Sequence, residues 1–323
     1  LKLAAKRLTG PSLGHLLALG TILVWGTTFI ASTVALRTLT PNELLVLRLV
    51  IALTALLLAR RQKLVLKERK HEWYIIGAAL SGVVLYFLFE NIALTYTNSS
   101  NCSVIISTAP FFVAIATRIF IREERLTGAF FVGFVIAIAG VGMVSFAGHA
   151  LKLNPLGDGL CILAAMSWAF YSVFIRKLDK HGYNTLLLTR RIFLYGLVFM
   201  VPLTAVFGFN VTWADVLNPA TLGCVLFLGL VASALCFVTW NTAVKILGPI
   251  KTSAYIYLTP GVTILFAWLL LGDPIQPLQI AGAALTLLGL MISQRRRGAA
   301  RPIADAAQPH ATPAEPVDMP AEA

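Results

Sequence analysis

Charge is scarce in this sequence: Asp, Glu, Lys and Arg make up only 12% of its 323 residues, against 58% hydrophobic residues and a mean hydropathy of +0.82. A soluble domain carries about twice that share of charge, so a water-soluble globule is excluded. Cysteine is nearly absent. The four present, Cys102, Cys161, Cys224 and Cys236, lie in or beside apolar runs and show no CxxC spacing, which argues against a disulfide framework and a thiolate zinc site. The five histidines, His15, His71, His149, His181 and His310, are scattered along the chain. An integral membrane enzyme, such as a lipid-modifying transferase, would need His or acids clustered at one membrane face. Walker A, HExxH, EF-hand and Rossmann patterns are missing, which disfavours an ATP-driven pump and implies no metal and no cofactor. One GxSxG match, Gly10-Pro11-Ser12-Leu13-Gly14, has no strand before it and no Asp-His pair to complete a hydrolase triad. Asn98, Asn101 and Asn210 begin N-x-S/T triplets, but these abut apolar runs and say little.

Long apolar runs are what the sequence has instead. A helix needs about 20 apolar residues to cross the hydrocarbon core, and ten such runs are present: 14 to 36, 41 to 60, 72 to 95, 101 to 118, 129 to 147, 157 to 177, 184 to 207, 221 to 244, 250 to 271 and 278 to 293. Turn residues mark the connections, among them Thr40-Pro41, Asn154-Pro155 and Gly248-Pro249. Helices are the expected spanning form, because backbone groups in lipid must be satisfied within the segment and alternating barrel strands are not seen. The N-terminal basic residues and the uncleaved apolar run after them predict a first membrane helix rather than a removed signal peptide.

The net charge of +12 sits in short clusters between apolar runs, the pattern of cytoplasmic loops facing anionic lipid. No basic groove or recognition motif accompanies it, so no nucleic-acid partner is expected. Of the 26 Lys and Arg, 21 fall on one side of the ten-span layout, 2 on the other and 3 within spans. That bias puts both termini in the cytoplasm. The tail 298–323, rich in Ala and Pro, is expected to be disordered.

The two halves of the chain match. Trp25 pairs with Trp168 and Arg48 with Arg191 at one spacing; Asn91 with Asn241, Ser103 with Ser253, Pro110 with Pro260 and Glu123 with Asp273 at a slightly longer one. The glycines Gly133 and Gly140 likewise answer to Gly282 and Gly289. The expected organisation is a segment 1–13, a first repeat 14–147 with helices 1–5, a second repeat 157–293 with helices 6–10, and the tail. Five spans are an odd number, so the second copy enters the membrane upside down. Inverted repeats commonly hold a small-molecule substrate near mid-membrane and move by rocking one half against the other, which points to transport.

Val24-Trp25-Gly26-Thr27-Thr28-Phe29, then Thr40-Pro41 and Arg48, resemble the opening of an EamA domain of the drug/metabolite transporter superfamily. So do Ala93-Leu94-Thr95-Tyr96 running into Ser99, Ser103 and Pro110, with Glu123 beyond. Trp240-Asn241-Thr242-Ala243, Pro260 and Leu271-Gly272-Asp273 resemble a second copy, with Asp where the family usually has Glu. The resemblance implies a ten-helix carrier in a bacterial inner membrane, its cavity lined mainly by helices 1, 3, 4, 6, 8 and 9, with helices 5 and 10 in support. It implies export of amino acids or other small metabolites. A nucleotide-sugar or drug carrier of the same superfamily is the alternative.

Glu90 is the leading site candidate, since a carboxyl inside helix 3 costs about 2.5 to 3.5 kcal/mol to insert and needs a cavity or a partner. It would bind a substrate ammonium or carry a proton, or be an Arg-paired structural group. Tyr86 lies one turn before it on the same face. Trp25, Trp168, Trp240, Tyr171, Tyr255 and Tyr257 are candidates for an aromatic wall, or else interfacial anchors. Asn91 and Asn241 are candidate ligands or interhelical hydrogen-bonding groups. Asn101 and Ser103 open helix 4, where a helix N-terminus attracts anions; Lys251 opens helix 9. Arg48 and Arg191 are read as structural, snorkelling or capping carbonyls. Pro110 and Pro260 are candidate hinges or gates. The chain is expected to work in the bilayer as a monomer or homodimer.

Overall fold

The computed structural model describes residues 10–122, 127–146, 154–272 and 276–293. Glu123 and Asp273, the paired acids, and the tail lie outside these residues. Among the described residues the chain is all-helical: α1 (Pro11–Ala35), α2 (Pro41–Ala59), α3 (Lys70–Tyr96), α4 (Ser99–Phe120), α5 (Gly128–Phe146), α6 (Pro155–Asp179), α7 (Thr185–Phe207), α8 (Pro219–Leu247), α9 (Pro249–Leu270) and α10 (Pro277–Ser293), with one extra turn at Trp213–Leu217. All but α5 and α10 are long and apolar enough to cross a membrane; those two contain the shorter apolar stretches Gly128–Gly140 and Ile280–Ser293. The protein is thus a multi-pass membrane protein.

Local chemistry sets the helix ends. Prolines occupy the first turn of α1, α2, α6, α8 and α9, where the missing N–H is an orphan in any case. Thr40 and Glu43 close a reciprocal capping box on α2, and Asn98, Asn154, Asn184 and Asn218 cap later helices. Gly248, at φ 85, ends α8 in a conformation that side chains avoid and lets Pro249 restart the chain as α9.

The halves correspond in more than sequence. Both α3 and α8 widen into π turns midway, at Leu80–Leu85 and Phe227–Leu235. The packing of α3 on α6 is matched by that of α8 on α1, and that of α4 on α6 by α9 on α1. Matched helices also run in opposite directions where they touch. At the start of α2, Asn42 donates to the Gly208 carbonyl just past the end of α7; at its end, the Arg60 carbonyl accepts from Arg190 near the start of α7. Between α5 and α10, Gly133 meets Gly289 while Gly140, further along, meets Gly282.

That last pair is a backbone-to-backbone contact. A Cβ on Gly140 would lie 2.5 Å from the Gly282 carbonyl oxygen and 2.6 Å from the Thr286 nitrogen. Small residues permit such close approach, which stabilises packing in lipid, where no hydrophobic force drives helices together. Gly140→Leu should therefore destabilise the detergent-solubilised protein by about 1–3 kcal/mol, read as a fall in melting midpoint. Gly20→Leu, at a glycine whose surroundings are open, should leave the midpoint in place.

Candidate functional site

A narrow cavity of about 30 Å³ lies at the middle of the bundle, lined from α1 (Ile22, Trp25, Thr28, Phe29), α2 (Arg48), α3 (Tyr86, Phe87, Glu90), α4 (Ile106, Ala109), α6 (Trp168), α8 (Phe237) and α9 (Ile256, Thr259). Most of these residues are near the midpoints of their helices. Both charged members are almost wholly buried, Arg48 at 1% and Glu90 at 2% exposure.

Arg48 is held by two contacts. Its Nε donates to Ser233 Oγ at 2.6 Å and its guanidinium lies 3.7 Å over the centre of the Phe87 ring, while the Glu90 carboxyl, on the same cavity wall, attracts it at longer range. Ring face and carboxyl each offset part of the desolvation of the cation. Glu90 shares the cavity wall with Tyr86, one turn earlier on α3. Ser233 belongs to the π turns of α8, and so does Ala232, whose carbonyl accepts from Trp25 Nε1 at 2.9 Å. Wide turns of this kind are common at functional positions. Here one such segment anchors both the cation and an aromatic wall.

Trp25 packs edge-on to Trp168 with ring centres 5.2 Å apart and against Trp240 at 4.9 Å, while Tyr86 and Trp168 are 5.2 Å apart. Trp168 is 3% exposed and its Nε1–H has no hydrogen-bond partner. The cavity therefore offers a cation, a carboxyl, an unused N–H donor and aromatic faces. Those are complementary to a small zwitterion with a hydrophobic part.

Of the residues singled out in the sequence, Trp25, Tyr86, Glu90 and Trp168 come together on the cavity wall. Tyr171, Trp240 and Asn241 form a layer behind it. The Tyr171 hydroxyl donates to Asn241 Oδ1 at 2.8 Å, and Asn241 Nδ2 donates to Thr189 Oγ1 at 3.1 Å, joining α6, α7 and α8. Asn91 similarly reaches from α3 to the Pro41 carbonyl of α2 at 3.4 Å. Both amides thus make interhelical hydrogen bonds.

Asn101, Ser103, Tyr255 and Tyr257 stand off the wall. The Asn101 backbone N–H is capped by Asn98, Ser103 donates to the Ser100 carbonyl, and the Tyr255 hydroxyl lies 2.7 Å from His15 Nδ1. Tyr257 is buried in the tight turn Ala254–Leu258, which faces the cavity through Ile256 instead. Lys251 is exposed. Pro110 and Pro260 do not bend a continuous helix: each sits in the first turn of a second segment, after a break at Ser107–Thr108 in α4 and after the tight turn in α9. A first-turn N–H has no intrahelical acceptor, so neither proline removes a bond from a hydrogen-bond ladder.

Arg48, expected from the sequence to be structural, also stands on the cavity wall. Its repeat mate does fit a structural role: Arg191 makes a two-pronged ion pair with Glu72, at 2.8 and 2.7 Å, near the end of the bundle. Arg48 neither snorkels nor caps a carbonyl. The available signal was an arginine deep in an apolar run, which demands a buried partner.

A multi-pass bundle of this kind, with a buried polar and aromatic cavity at mid-helix, is a membrane transporter. The chain belongs to the EamA-like transporter family, whose family model matches it twice, over residues 12–146 and 155–294. An uncharacterized transporter of Archaeoglobus fulgidus is 30% identical over 88% of this chain and 98% of its own. A probable terminal-alkyne amino-acid exporter of Streptantibioticus cattleyicolor is 27% identical over 85% and 91%, and a probable amino-acid metabolite efflux pump of Escherichia coli 26% identical over 86% and 93%. One solved crystal structure superposes with a TM-score of 0.68 at 18% identity, over 87% of this chain and 96% of that one. That likeness concerns the fold alone.

Removing one member of a buried charge couple strands the other, at about 3–5 kcal/mol. Arg48→Met and Glu90→Gln are each expected to lower the melting midpoint, and the double variant to lose less than the sum. The cycle should return a coupling of about 1–3 kcal/mol; strict additivity would show that the two groups do not interact.

Proposed function

We propose that the protein exports small metabolites, neutral amino acids foremost, by alternating access around the central cavity. The observation that carries this reading is the presence of Arg48 and Glu90 on one aromatic-walled cavity. In that pose Arg48 takes the substrate carboxylate, Glu90 the ammonium, and Trp25, Trp168 and Tyr86 the side chain, with the free Trp168 N–H donating to a carboxylate oxygen. Trp240, Tyr171, Asn91 and Asn241 hold the wall in place. The breaks before Pro110 and Pro260 are the points where α4 and α9 flex.

The architecture proposed is ten spans in two inverted five-helix repeats, with α5 and α10 crossing as well. It draws support from the double family match, the paired π turns and the opposed directions of α2 with α7 and of α5 with α10. The positive charge bias sets both termini in the cytoplasm of a bacterial inner membrane. There the chain works as a monomer or homodimer, without nucleic acid or cofactor and without enzymatic chemistry. Among the described residues Glu90 is the one acid on the cavity wall, which favours uniport over proton antiport.

Purified protein in liposomes loaded with labelled amino acids should release them at the same rate with and without a pH gradient. Glu90→Gln should reduce efflux at least tenfold, the effect of about 1.4 kcal/mol of lost binding to the ammonium. Full efflux by the variant would remove Glu90 from the substrate site. Release of nucleotide sugars or drugs but of no amino acid would favour the other branch of the superfamily.

A further inference from the structure

Away from the cavity, the connection between α2 and α3 meets the turn between α6 and α7. Three side chains with ligand atoms converge there: Glu68, His71 and His181, one donor atom from each lying within 4.8 Å of the others. Two of them come from the first sequence match and one from the second. The His71 and His181 rings are 3.9 Å apart between centres. His71 is fully buried, its Nδ1 is 2.7 Å from the Tyr183 hydroxyl, and its Nε2 has no hydrogen-bond partner. That orphan nitrogen is 3.8 Å from Glu68 Oε1. Buried polar atoms are almost always paired, so an unpaired imidazole nitrogen aimed at a carboxylate and a second imidazole calls for a ligand.

We propose that Glu68, His71 and His181 form a binding site for a divalent transition-metal cation of the zinc type, which straps the two halves of the transporter together at this face. Two imidazoles and one carboxylate are a donor set suited to such an ion, with a fourth position left for water. The Tyr183 hydroxyl, which also accepts from the Lys67 backbone N–H at 2.9 Å, is the kind of outer partner that a ligating histidine commonly has: in the tautomer whose Nδ1–H donates to it, the one that metal binding would select, Nε2 carries the free lone pair. Tetrahedral coordination at about 2.0–2.1 Å from each donor needs ligand atoms about 3.3 Å apart, so the cluster must contract. It has the freedom to do so. Glu68 is about half exposed, and His181 sits in the turn beside Gly182, whose φ of 70 is open to it. Lys70 pairs with the other oxygen of Glu68, Oε2, at 2.6 Å, and leaves Oε1 available. The nearby Lys67 and Lys70 charges oppose a dication, which limits affinity, yet neither blocks the donor atoms.

The test uses the full chain with any affinity tag removed, stripped of metal by a chelator and titrated with zinc against a fluorescent zinc indicator. One equivalent should bind in the micromolar range and raise the melting midpoint. His181→Ala should weaken binding at least tenfold and abolish that rise. Glu68→Gln, at an exposed position, gives the same test should the histidine variant fold poorly. His15→Ala, outside the cluster, should bind as the native chain does. No saturable zinc binding, or equal binding by the native chain and both cluster variants, would overturn the proposal.

Discussion

A guanidinium with 1% exposure at the middle of a membrane bundle is the constraint around which the rest of this structure is arranged. An unpaired cation there would cost several kcal/mol. Arg48 is therefore met by a hydroxyl from α8 and the face of Phe87, with the Glu90 carboxyl on the wall of the same cavity. Each partner belongs to a helix that must be held at a fixed distance from α2. Arg48 thereby ties α2 to both α3 and α8.

The aromatic layer answers a second need, that of walling the space in which Arg48 and Glu90 stand. Trp25 is pinned to the Ala232 carbonyl, and Tyr171 fills the place opposite Gly82, where any Cβ would collide with its ring. Gly82 and Ala232 both lie in π turns, one in each half. The wide turns thus do matched work on opposite sides of the cavity: one yields room for a ring, and the other presents a carbonyl and a hydroxyl to it. Behind the wall, Asn241 ties Tyr171 to Thr189, so the polar atoms of the second layer satisfy each other and the Trp168 N–H is left over.

Much of this was legible in the sequence, for reasons that differ by feature. Apolar run length located the helices, since a membrane fixes the length a span must have. The spacing of Trp25 and Trp168, and of the glycine pairs, exposed the duplication. Glu90 stood out because an acid in an apolar run must have a partner. Which partner was not legible: Arg48 and Arg191 share a repeat position, and only packing shows one facing the cavity and the other paired with Glu72. Asn101 and Ser103, at the start of α4, stand off the cavity wall: the Asn101 backbone N–H is capped by Asn98, and the Ser103 hydroxyl donates to the Ser100 carbonyl. Scattered histidines concealed the approach of His71 to His181, because a contact between the start of one helix and a turn far away in the chain leaves no periodic trace. The π turns likewise have no simple residue signature.

The cavity itself carries the reporter that tests its role. Of the six tryptophans, Trp73, Trp213 and Trp268 lie on the outside, at 72%, 81% and 48% exposure, so replacing these three with Phe leaves emission from Trp25, Trp168 and Trp240 alone. If the space between Arg48 and Glu90 is where a zwitterion binds, adding a transported amino acid will change that emission saturably. Emission that stays flat, at concentrations of amino acid that the same protein empties from liposomes, would place the substrate elsewhere and contradict the account.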